Sequence, residues 1–131
     1  MKGVFFDLSQ ARALADLTTE RYRAFDPGVD GHSEALSLAG FSYLLFAEHY
    51  CSGVPFSTLT DAGLVYGQPQ TRNEILAIAL AKFDSALTFA VTNENEDLAN
   101  LAAVGRGRVL LNQAQYVQAA AAVATVPTTF V

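Results

Sequence analysis

The sequence predicts an all-α fold of about five helices in one domain. Three observations lead there. Apolar residues recur at helical spacing through several long stretches, and capping or breaking residues bound those stretches. At 131 residues the chain is long enough to bury one sizeable core. It is 51% hydrophobic and only 16% charged, against roughly a quarter charged in an average domain. Two readings of that imbalance stand side by side. Either apolar surface is covered by something outside the chain, or alanine, tolerated anywhere on a helix, inflates the apolar count.

A leading helix is expected over 7–25. Val4, Phe5 and Phe6 form a short apolar lead, and Asp7 or Ser9 is placed to cap. Leu8, Ala11, Leu14, Ala15, Leu17, Tyr22 and Phe25 fall near one broad stripe, with Glu20, Arg21 and Arg23 largely opposite. Asp26-Pro27-Gly28 stops the helix: the residue before proline is pushed out of the helical region, and glycine permits the turn. Ser33 is the expected cap of a second helix ending near Cys51, with Glu34 at its positive end. That helix is apolar at almost every angle, interrupted only by Ser37, Ser42, Glu48 and His49, which predicts burial on nearly all sides. Gly40 in its middle costs about 1 kcal/mol relative to alanine and implies another backbone close by. Cys51 has no second cysteine to pair with and is expected to act as a small buried hydrophobe.

Residues 52–70 form a long non-helical connection rich in Gly, Pro, Ser and Thr, in which Thr58, Leu59, Val65 and Tyr66 suit a short strand or two. Connections this long in a compact domain are usually functional or disordered, and the apolar residues here argue against disorder. Thr71 and Glu74 make a capping box for a third helix to about 91, with Ile75, Ile78, Ala79, Phe83, Ala86, Leu87 and Ala90 on a wide apolar face. Asn93-Glu94-Asn95 breaks it. Asn95 caps a fourth helix with Glu96 and Asp97 in its first turn, running to Asn112. A tight turn at Gln113-Ala114-Gln115 leads to a fifth, from 115 to about 125, and Pro127 closes it. The domain therefore divides into a leading helix (7–25), a hairpin with an inserted loop (33–91) and a second hairpin (95–127).

The net charge of −5 and the scattering of the eight basic residues exclude a nucleic-acid partner and polybasic docking to an anionic membrane. No run of eighteen apolar residues occurs, so no transmembrane helix is expected. The opening MKGVFFDLSQ is too short for a signal peptide. That leaves two alternatives, a cytoplasmic chain or one whose true N-terminus lies upstream.

Reactive constellations are weak. Glu48, His49 and Cys51 do not converge as helical metal ligands would, and His32 joins them only by accident of fold. Neither histidine has a nucleophile in a recognisable setting. The acidic run 94–97 lacks the alternation and glycine of a calcium loop, and Gly105-x-Gly107 lacks the strand and third glycine of a nucleotide loop. No catalytic residue, metal or cofactor is expected. Phe56 and Tyr66 are the best candidates for ligand or partner contact, the alternative being that they pack the loop onto the helices.

Gly107, Tyr116 and Ala119 have the spacing of a tetratricopeptide hairpin: a small residue on the first helix, an alanine twelve residues later on the second, an aromatic three before it. Ala79, Phe83 and Ala86 reproduce the second-helix pattern in the earlier unit, where Gly40 is the matching small residue. Gly40 and Ala79 stand 79 − 40 = 39 apart rather than 12, an insertion of 27. A tetratricopeptide pair with a long insertion in its first hairpin resembles the SusD/RagB family. ALSLAGFSYLLFAEHYCSGVPFS resembles its first repeat helix, GQPQTRNEILAIALAKFDSALTFA the following one, and LAAVGRGRVLLNQAQYVQAAAAVATVPTTFV the closing repeat. The resemblance spans roughly 7–131. It implies an envelope location, at the outer membrane or its periplasmic side, beside a TonB-dependent transporter. It also implies that the helical half is scaffold and transporter contact, and that a glycan- or peptide-binding half lies beyond Val131. The expected function is therefore a non-catalytic protein–protein scaffold of SusD-like nutrient uptake. Two alternatives remain: an accessory subunit docking on another envelope complex, and a cytoplasmic repeat adaptor that binds peptides.

Overall fold

The computed structural model describes residues 3–131, apart from the side chain of Leu59; Met1 and Lys2, the first residues of the opening discussed above, lie outside the described residues. Five helices carry the fold: α1 (Val4–Phe25), α2 (Asp30–His49), α3 (Arg72–Thr92), α4 (Glu96–Asn112) and α5 (Tyr116–Ala122). Between α2 and α3 runs a small β excursion of four short strands, β1 (Ser52–Pro55), β2 (Thr58–Thr60), β3 (Gly63–Val65) and β4 (Pro69–Thr71). The all-α expectation holds, with α3 at the centre, packed on α2 on one side and α4 on the other. α1 covers α2, α5 covers α4, and α2 also touches α4.

The core sits along α3. Leu44, Phe46, Ile75, Leu76, Ala79, Phe83 and Val109 are fully buried in one cluster, and Leu36, Ala86 and Ala102 form a smaller one toward the other end. Full burial of each large side chain contributes about 1.5–3 kcal/mol. By length and composition α3 could span a membrane. Its position gives a different reason for its apolar character: it has neighbours on two sides, and Ile75, Leu76, Ala79, Phe83, Ala86 and Ala90 have no exposed surface.

Local signals explain several boundaries. Thr71 accepts from the Glu74 amide while the Glu74 carboxylate accepts from the Thr71 amide at 2.7 Å, so the capping box is complete. Asn95 caps α4 through the Leu98 amide at 3.1 Å. The turn after α4 is made by Ala114 at φ 59°, a left-handed residue that lets Gln115 close back on Leu110.

Other boundaries need correction. α1 begins at Val4, not at an Asp7 or Ser9 cap: Gly3 is its N-cap with no side-chain bond, and the Ser9 hydroxyl donates to Phe5 O instead. The apolar lead is thus the first helical turn. α2 begins at Asp30, so Ser33 is not its cap. Ser33 lies inside the helix, fully buried, and donates to Ala86 O of α3 at 2.8 Å. Ser37 and Ser42 are buried too, in keeping with a helix covered on nearly all sides. α2 ends at His49, and Cys51, just beyond it, is exposed rather than buried. α5 stops at Ala122, short of 125.

The connection 52–70 is ordered as two antiparallel ladders. β1 pairs with β4, Ser52 opposite Thr71 and Pro55 opposite Pro69, with an irregularity at Gly53, whose φ is +75°. β2 and β3 form a hairpin, Thr58 opposite Val65 and Thr60 opposite Gly63. Gly67 fixes the return path: a β-carbon there would strike the Phe56 carbonyl oxygen.

Candidate functional site

The residues singled out for helix crossing lie along two seams. In the first, the Phe83 ring of α3 is wedged between glycines of two other helices. A β-carbon on Gly40 of α2 would stand 2.9 Å from its Cζ, and one on Gly105 of α4 would overlap the ring. Phe41 meets the same ring edge-on at 4.8 Å. Gly40 therefore admits an aromatic ring, not the backbone expected there. Ala79 and Ala86 flank Phe83 one turn away on either side, both fully buried. In the second seam, a β-carbon on Gly107 would stand 2.7 Å from Cγ1 of Val123 and 3.4 Å from the Ala119 carbonyl oxygen. Ala119 is buried, while Tyr116 is largely exposed. Gly105 matters as much as Gly107, and only the side chain facing it reveals that.

The structure separates the two aromatic candidates of the excursion. Phe56 turns inward, edge-on to Tyr43 at 4.9 Å and Phe46 at 5.1 Å, beneath the Arg12 guanidinium at 5.3 Å. Tyr66 is 79% exposed, and Leu64 and Val65 beside it are also exposed. The returning strand β3 and the residue after it thus present an exposed apolar stretch, with Val65 opposite Thr58 at the base of the hairpin.

A polar cluster that sequence reasoning did not find ties this excursion to the helices. Arg12 and Asp16 of α1, Tyr43 of α2 and Lys82 of α3 converge. Asp16 Oδ1 pairs with Lys82 Nζ at 2.8 Å; Oδ2 accepts from the Tyr43 hydroxyl at 2.6 Å and from Arg12 Nη1 at 3.3 Å. Arg12 Nη2 donates to Ser57 O at 2.7 Å, latching the excursion to α1. Burial, then the hydrogen bond to Asp16 and its charge, push the Tyr43 pKa well above the ordinary tyrosine value. The i, i+4 spacing of Arg12 and Asp16 was a visible signal, but the apolar stripe of α1 pointed elsewhere. Arg12 and Thr19 are the residues α1 buries, whereas Leu14 and Phe25 are exposed.

Glu48, considered above with His49 and Cys51, is occupied by other partners. It accepts from both Arg108 and Asn112 of α4. Its carboxyl is depressed below the ordinary value: burial pushes it up, but the Arg108 and Asn112 hydrogen bonds and the Arg108 charge outweigh that. Arg72 completes this end, donating to Ala47 O and to both oxygens of Asn112. His32 is buried between Tyr22 and Phe89, with Nδ1 2.9 Å from Pro27 O. In the acidic turn, Asn93 and Asn95 each donate to Asp30, and these bonds lower its pKa. Among the described residues no group of three His, Cys, Asp or Glu side chains is arranged to hold a metal. A shallow apolar groove of about 410 Å³ lies between α1 and α2, lined by Leu8, Leu14, Leu38, Phe41 and Leu45 with smaller residues.

These features define an α-helical bundle carrying a latched β excursion. No protein family, no curated protein and no solved structure matches this chain.

Proposed function

We propose that the chain is a non-catalytic protein–protein scaffold of the cell envelope, of the kind formed by the helical half of SusD-like nutrient-uptake proteins. In this reading α2 to α5 are two tetratricopeptide-like hairpins and the excursion is the insertion in the first. The protein partner is a TonB-dependent transporter or a comparable envelope complex. A glycan or peptide ligand would engage a further region rather than these helices.

One observation supports the reading most: the exposed apolar stretch Leu64-Val65-Tyr66 of the excursion. Leu64 and Val65 on strand β3 of a two-stranded hairpin, and Tyr66 just after it, are all exposed. An isolated two-stranded hairpin is marginal in water. This one is anchored by Arg12 and by Phe56 in the aromatic cluster, while Leu64, Val65 and Tyr66 stay open to meet another protein. Clustered exposed aromatic and aliphatic residues of this kind mark interaction surfaces. The open apolar groove between α1 and α2 points the same way.

A photo-crosslinking residue in place of Tyr66, expressed in the native host, tests the reading. A crosslink to one outer-membrane transporter is the expected result. Crosslinks only to cytosolic proteins would favour the adaptor alternative.

A further inference from the structure

A partly open pocket of about 120 Å³ lies between α1 and the excursion, with Arg12, Asp16, Glu20, Ser57 and Thr58 in its lining. Arg12 is only 5% exposed, yet its Nε–H is buried without an acceptor among the described residues. A charged N–H in that state calls for a partner. The formal charges around it do not cancel. Arg12 and Lys82 face Asp16, whose two oxygens are taken by Lys82, Tyr43 and Arg12 itself. Glu20 is exposed and paired with Arg23 at 3.2 Å. One positive charge is left over. Ser57 and Thr58 line the same space, and each carries a hydroxyl.

We propose that this pocket is a binding site for a single carboxylate group, received by the Arg12 Nε–H with the Ser57 and Thr58 hydroxyls. One carboxylate matches the one surplus charge, and guanidinium N–H groups suit its planar oxygens. A phosphate dianion would bring more charge than the cluster leaves unbalanced. A single water needs about 10–15 Å³ by the same measure, so the pocket has room for several waters or one small carboxylate. Because Ser57 and Thr58 belong to the excursion, occupancy strengthens its attachment to α1.

The Arg12 Nε–H resonance, followed by NMR in the intact chain, reads the site directly. Acetate should shift it saturably and the neutral isostere acetamide should not. Lys82→Met, which removes the surplus charge while leaving Arg12 in place, should weaken acetate binding by roughly tenfold. A short peptide with a free carboxyl terminus, compared with its amide, distinguishes the two sources. Saturable binding of the peptide acid but not the amide identifies a partner's chain terminus; binding of acetate alone identifies a free small acid. A resonance unmoved by both acetate and the peptide acid, or moved equally by acetamide, overturns the proposal. So does acetate binding that Lys82→Met leaves unchanged.

Discussion

The Phe83 ring occupies the space where a β-carbon on Gly105 would stand, so α3 and α4 meet only because position 105 has no side chain. Gly40 opens the same ring's other side. Gly105→Ala must displace a fully buried ring held by three helices, and should cost about 1–3 kcal/mol by overpacking. Gly107→Ala should cost less, because its nearest neighbour is Val123, a partly exposed side chain just past α5 that can yield. Gly107→Leu is too large for that relief and should cost several kcal/mol. Denaturant melts followed by circular dichroism rank the three; a Gly105→Ala protein as stable as the parent would contradict the wedge.

Arg12 joins α1 to Asp16 and to the backbone of the excursion at once. Arg12→Met removes both links and exposes an imbalance in a buried charge cluster, a change that typically costs about 3–5 kcal/mol. Lys82 still neutralises Asp16, so the loss should fall at the lower end. The local signature is more telling. Amide exchange at 55–60 should accelerate more than exchange within α3, and uniform acceleration would mean that the latch is not local.

Acid should destabilise the fold. Glu48, Glu74 and Asp30 all have lowered carboxyl pKa values. For Glu48, burial works against the shift and the hydrogen bonds to Arg108 and Asn112 outweigh it; for Glu74 the bonds to Thr71 lower it, and for Asp30 those to Asn95 and Asn93. A depressed carboxylate adds stability that is complete above its unfolded pKa of about 4 and is lost as pH falls through the folded value. Melting temperature should therefore be level above about pH 5 and fall below about pH 4. Glu48→Gln should flatten part of that fall; an identical slope would remove Glu48 from the explanation.

Tyr43 gives the opposite limb. Burial and its bond to Asp16 raise its pKa, so its stabilising contribution is complete below the unfolded tyrosine value of about 10 and is lost as pH climbs toward the folded one. Spectrophotometric titration should show one tyrosine that ionises only on unfolding. Tyr43→Phe should abolish that silent tyrosine, soften the alkaline decline and cost about 1–2 kcal/mol at neutral pH. A full complement of tyrosines titrating normally in the folded protein would contradict the buried bond.

Much of the fold was legible because its signals are local. The Thr71–Glu74 box, the Asn95 cap, the Asp26-Pro27-Gly28 stop and the turn at 113–115 depend on residues within a few positions of one another. What was missed depends on tertiary partners. Ser33 looked like a cap, but a carbonyl of α3, fifty-three residues away, takes its hydroxyl. The stripe through Leu14 and Phe25 looked like the core face of α1, but the Arg12–Asp16 pair turns that helix so that Arg12 and Thr19 face inward. Gly105 stood out only as half of an incomplete nucleotide-loop pattern, since nothing near it in sequence announces Phe83. Phe56 and Tyr66 looked alike as candidates, and only the path of the excursion sends one inward and the other to solvent.

The scaffold reading rests on the exposed Leu64-Val65-Tyr66 stretch of the excursion meeting a protein partner. Quantitative affinity capture from the envelope fraction of the native host, comparing the parent with a Leu64→Ser/Tyr66→Ser variant, tests it most directly. Both positions are exposed, so the variant should melt like the parent. The expected result is stoichiometric recovery of a transporter-type outer-membrane protein with the parent and its loss with the variant. Equal recovery by both proteins, or no stoichiometric partner with the parent, would contradict it.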